Sequence, residues 1–136
     1  MKVLLAVRAA FFLLLAFVTF LTLTTDPDDT KAGFDLFDWI ASLLVGRPDL
    51  GDKFAHFAAY GALGFAGGAA QWRILGRQWP VVPALALYGG MLETLQHLGG
   101  VRDGNAFDAG ANALGAAAGL LLFAVLTQLL KRRAAA

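Results

Sequence analysis

The chain has no cysteine and only one serine, Ser42. The first absence excludes disulfides, a thiol nucleophile, a thiolate zinc site and a cysteine-held iron–sulfur cluster. Charge is also scarce: 15% of the 136 residues are Asp, Glu, Lys or Arg, where about 25% is usual. A soluble domain this small needs many polar groups to cover its surface, so a soluble globular fold is not expected. The net charge of +1 gives no basic surface for a dedicated nucleic-acid binder. What the chain has in quantity is apolar: 58% of residues are hydrophobic, against about 45–50% in soluble domains. The expectation is a small integral membrane protein forming a single domain over residues 1–136.

A membrane-spanning helix needs about 20 mostly apolar residues. Four stretches qualify, from about Val3 to Leu23, Phe54 to Trp72, Pro80 to Leu98 and Phe107 to Leu130. The first reads as a retained helix, because Thr22 to Pro27 offers no small-x-small cleavage site. Its one charge, Arg8, lies near its start and is expected to snorkel to the interface. Asp26-Pro27-Asp28-Asp29 then reads as an acidic turn. In the segment from about 33 to 46, Phe34, Phe37, Ile40 and Leu44 recur at helical spacing, with Asp35, Asp38 and Ser42 on another face. It reads as a short interfacial helix with Trp39 at headgroup level. The predicted fold is therefore all-α: a four-helix transmembrane bundle with a short extracytoplasmic interfacial helix.

Basic residues favour cytoplasmic loops. Four spans put both termini on one side, together with Lys2, Arg8, Arg73, Arg77, Lys131, Arg132 and Arg133. The other side holds Lys31, Arg47, Lys53 and Arg102. Seven against four makes the terminal side cytoplasmic. The acids agree, since all ten carboxylates fall on the outer half.

Depth then sorts the polar residues. Asp52, Lys53 and His56 open the second span, with Tyr60 one turn deeper on the stripe shared by Asp52 and His56. Glu93, Gln96 and His97 close the third. Asp108 and Asn112 open the fourth, after a loop carrying Arg102, Asp103 and Asn105. Three helices thus bring their strongest polar groups to one level under the outer surface. An ionisable group in a bilayer helix costs about 2.5–3.5 kcal/mol, so these groups are expected to face inward and pair. Below them the helices are rich in glycine and alanine, including the Gly115–Gly119 GxxxG pattern, which suits close packing in lipid.

Asp52-Lys53-Phe54-Ala55-His56-Phe57 with Tyr60, then Glu93-Thr94-Leu95-Gln96, then Arg102 with Asp108 and Ala111-Asn112-Ala113-Leu114-Gly115, resemble the VanZ-like family. The match runs from about Gly51 to Leu122. The resemblance implies a bacterial inner-membrane protein with an envelope role. The family's namesake is linked to teicoplanin resistance.

Three functions are open to such a cluster. It can bind a lipid or a lipid-linked cell-wall precursor headgroup, with Lys53 and Arg102 on a phosphate or carboxylate and Gln96 and Asn112 orienting sugars or amides. It can hydrolyse or transfer, with His56 as base and Asp52 or Glu93 as its partner. Or it can be a buried ion-pair network that fixes helix register. Asp52, Lys53, Tyr60, Gln96, Arg102, Asp108 and Asn112 are the expected binding residues, and His56 and Glu93 the expected catalytic pair. His56, His97, Glu93 and Asp108 are suitable metal donors. There is no HExxH spacing, however, and no cofactor is expected. Nothing resembles a transporter's internal repeat or broken helix.

Overall fold

The computed structural model describes residues 1–24, 27–99 and 106–135. Five α-helices follow in order: α1 (Lys2–Leu23), α2 (Pro27–Val45), α3 (Gly51–Ala69), α4 (Val81–Leu98) and α5 (Ala106–Ala134). A single 3₁₀ turn, Pro48–Leu50, joins α2 to α3. Among the described residues there is no β-strand.

α1 and, over Phe107–Ala135, α5 are long and apolar enough to cross a membrane. They are the two described helices that meet this test. α3 and α4, also expected as spans, do not, because Asp52, Lys53 and His56 in one and Glu93, Gln96 and His97 in the other interrupt their apolar runs. Phe12, Leu13 and Phe17 of α1 and Leu121, Leu122 and Leu130 of α5 are exposed. Contiguous apolar surface of this kind marks a membrane or protein contact.

The expected interfacial segment is helical but longer than its spacing indicated. α2 begins at Pro27, where the sequence reads as a turn. A proline followed by acids also opens helices well, because its fixed φ suits the first helical position. α2 ends at Val45 and is followed by Gly46, whose φ of +70° few other residues adopt. It then folds back onto the start of α3, where a Cβ on Gly51 would fall 2.5 Å from the Asp38 backbone nitrogen.

α3 also differs at its end, stopping at Ala69 rather than near Trp72. Gln71 in the left-handed region, with φ of 55°, turns the chain. Its last carbonyls are capped from elsewhere: Arg8 Nε donates to Ala70 O at 3.2 Å and Gln78 Nε2 to Gly68 O at 3.0 Å. Arg8, expected at the interface, is engaged within the protein, and its guanidinium also lies 4.8 Å from the centre of the Trp72 ring. α5 runs past Leu130 through Lys131–Arg133, where basic side chains suit a helix C-terminus.

Contacts set the helix directions. α3 and α5 run parallel, from Lys53 beside Asp108 at one end to Gly68 against Phe123 at the other. Their backbones meet through small residues. A Cβ on Gly64 would lie 2.1 Å from Ala116 O, and one on Gly119 1.9 Å from Gly61 O. Only glycine permits that approach. α4 runs antiparallel to both, placing Glu93 beside His56 and Gly89 beside Tyr60 and Asn112. α1 runs antiparallel to α3, with Arg8 at the end of α3 and Thr22 beside Gln96 of α4. Phe11, Val18, Tyr60, Leu63, Val81 and Leu85 form the apolar core where α1, α3 and α4 meet.

These directions gather the acidic and histidine-bearing helix ends at one end of the bundle. α1 and α4 finish there, and α3 and α5 begin there. Lys2, Arg8, Arg73, Arg77 and Lys131–Arg133 belong to the opposite end.

Candidate functional site

The first two turns of α3 supply Asp52, Lys53 and His56. Lys53 Nζ lies 2.6 Å from Asp52 Oδ2 and 2.8 Å from Asp108 Oδ1 of α5. The first is a hydrogen-bonded ion pair. The second is held by charge without a well-aligned hydrogen bond. One turn deeper, His56 Nδ1 lies 3.0 Å from Asn112 Oδ1 and 3.7 Å from Glu93 Oε1. The Asn112 oxygen can only accept, so the assigned contact makes Nδ1 the donor and leaves the lone pair on Nε2.

Burial makes the cluster unusual. Glu93 is 8% exposed, Asp108 6% and Asn112 1%. Asp and Glu are almost never this buried unless paired. One ligand atom from each of His56, Glu93 and Asp108 lies within 4.8 Å of the others. Three helices therefore deliver an imidazole and two carboxylates to one spot.

Beneath them sits Tyr60, one turn below His56 and fully buried. Its hydroxyl and Asn112 Nδ2 both lack a hydrogen-bond partner among the described residues. The α4 backbone at Gly89 presses on both, and a Cβ there would fall 2.6 Å from Asn112 Nδ2 and 2.8 Å from Tyr60 OH. Gly89 is thus a positioning element whose sequence reading offered no more than packing.

The structure brings together six of the nine expected site residues: Asp52, Lys53, His56, Glu93, Asp108 and Asn112. Tyr60 lines their inner wall. Gln96 is used elsewhere, because its side-chain amide donates to the Thr22 carbonyl and seals α4 against α1. The sequence spacing could not separate these uses, since Gln96 and Glu93 share a face of α4. Arg102 lies outside the described residues. His97 is exposed and takes no part. A hydrogen bond that the sequence did not announce, Thr19 Oγ1 to Tyr88 OH at 2.6 Å, adds a second polar tie between α1 and α4.

Among the described residues the cluster is acidic. Asp52, Glu93 and Asp108 carry −3 and Lys53 +1, giving −2 with His56 neutral. Lys53 is already shared between two carboxylates, so a bare anion meets no free cation among them.

No protein-family model, curated protein or solved structure matches this chain. The class the structure defines is an all-helical protein with two helices suited to crossing a membrane and a buried polar cluster between three helices.

Proposed function

We propose that the chain is a VanZ-like, multi-pass protein of the bacterial inner membrane that receives a lipid or lipid-linked headgroup in its polar cluster. In this reading α1, α3, α4 and α5 cross the bilayer, α2 lies at the outer interface and both termini are cytoplasmic. The alternating directions of these four helices support it. So does their length: the shortest, α4, has 18 residues and spans about 27 Å, close to a hydrocarbon core of about 30 Å.

The carrying observation is the meeting of Lys53, His56, Glu93, Asp108 and Asn112 at the end of the bundle opposite the basic residues. By the basic-residue rule that end faces outward, at the depth where headgroups meet their tails. A buried group of donors and acceptors there serves a polar ligand better than lipid tails. An influence on glycopeptide susceptibility belongs to the same proposal.

The test is native mass spectrometry of the purified protein with its retained lipids. Wild type is expected to carry a defined lipid that His56→Gln and Asn112→Leu lose. Equal retention in wild type and both variants, at equal helicity, removes the headgroup reading. It leaves a register-fixing network, which the saturated Lys53 pairs also favour.

A further inference from the structure

We infer that His56, Glu93 and Asp108 bind a divalent first-row metal ion of the zinc or manganese kind. This rests on the polar cluster described above, and it stands whether or not a headgroup binds there.

The donors fit in kind. One imidazole and two carboxylates suit zinc or manganese, whereas magnesium and calcium prefer an all-oxygen shell. They fit in placement. Each comes from a different helix, and their ligand atoms already lie within 4.8 Å of one another.

The surroundings support the same ion. Asn112 Oδ1 accepts from His56 Nδ1 at 3.0 Å, the kind of outer contact that fixes a metal-binding ring and its tautomer. Lys53 keeps Asp52 at 2.6 Å, so Asp108 can turn to a metal without stranding the ammonium. Three protein ligands leave a coordination position for water or substrate. Among the described residues, the fully buried Tyr60 hydroxyl and the Asn112 amide nitrogen, at 0% and 1% residue exposure, have no hydrogen-bond partner. Both are donors in the wall beside the triad, suited to the oxygen of a metal-bound water. Their lack of partners is explained if that water is part of the site.

The experiment uses the full chain in detergent, with any affinity tag removed and metal stripped by EDTA. Calorimetric titration with Zn²⁺, Mn²⁺ and Mg²⁺ is expected to show one equivalent of Zn²⁺ or Mn²⁺, bound at least tenfold more tightly than Mg²⁺. His56→Gln and Asp108→Asn should each weaken it at least tenfold, with helicity and elution unchanged. His97→Gln should leave it as it was. Should those variants misfold, X-ray absorption of the loaded wild type decides, because a histidine nitrogen must appear in a nitrogen–oxygen shell. Absence of saturable binding, equal binding of Mg²⁺, or loss with His97→Gln instead overturns the inference. Lipid retention measured on the stripped protein separates the readings. Retained lipid without metal binding sinks this proposal alone, and metal binding without retained lipid sinks the other.

Discussion

Lys53 Nζ on the first turn of α3 lies 2.8 Å from Asp108 Oδ1 on the first turn of α5. The pair joins the two parallel helices at the end where their polar residues collect. Lys53 is 23% and Asp108 9% exposed at the side chain, so neither charge is freely hydrated. Removing one partner of a buried pair leaves the other uncompensated. Lys53→Met is expected to destabilise by the lower part of about 3–5 kcal/mol, because some solvent reaches the site. Lys53→Met with Asp108→Leu should recover part of that loss. Thermal unfolding in detergent measures both, and a double variant no better than the single one would refute the coupling.

The glycine contacts of α3 and α5 predict position-specific intolerance. Gly119→Val would drive a side chain into the Gly61 carbonyl, since even a Cβ lies 1.9 Å from it. Overpacking costs typically about 1–3 kcal/mol, and more when the obstacle is backbone. Gly90 has nothing within 4 Å of its Cβ position. Gly90→Ala should be tolerated and gain up to about 1 kcal/mol of helix propensity. Comparable melting temperatures for the two variants would contradict the close approach.

Outside the helices, Arg47 grips Asp49 with Nε at 2.9 Å and Nη2 at 2.6 Å. The hydrogen bond from Arg47 is the main cause holding the Asp49 carboxyl below its ordinary value. A lowered carboxyl stabilises the fold above its ordinary value, and the benefit fades as pH falls through the lowered one. The pair is exposed, so salt should weaken it. A carboxyl NMR titration is expected to show Asp49 returning to its ordinary range in Arg47→Gln. An unmoved titration would dissolve the pair.

Native cysteines are absent, so single replacements report topology cleanly. Leu75, in the α3–α4 turn, is 96% exposed, and Asp49 is exposed before α3. On the proposed topology, which puts both termini in the cytoplasm, an impermeant thiol reagent applied to intact cells should label Asp49→Cys and spare Leu75→Cys. The reverse labelling would invert the orientation. Labelling of both would end the four-span reading.

Much of this arrangement was legible because lipid-like helices punish stray polarity. Asp52, His56, Glu93, Asp108 and Asn112 stand out against apolar neighbours, and their spacing of three or four residues assigns them to faces. The many small residues foretold close helix packing, but not that α3 and α5 share the seam. Helix periodicity could not separate Gln96 from Glu93, because the partner that claims the Gln96 amide, the Thr22 carbonyl, is backbone and carries no sequence signal. Nor could it reveal Gly89 as the surface beneath Tyr60 and Asn112, since a packing glycine and a cradling one look alike. The start of α2 was obscured for another reason: Pro27 with acids beside it serves a turn or a helix opening equally well.

The parallel pairing of α3 with α5 also sets an order of events in synthesis. His56 and Asn112 are 56 positions apart, and at about 5–20 residues per second a ribosome needs roughly 3–11 s to bridge that gap. During the interval the rest of α3 and all of α4 are made, but Lys53 has yet to meet Asp108 and His56 has yet to meet Asn112. The nascent chain therefore waits with exposed charge until its last helix arrives, and a product truncated before residue 106 keeps that burden for good, which makes it a natural target for quality-control proteases.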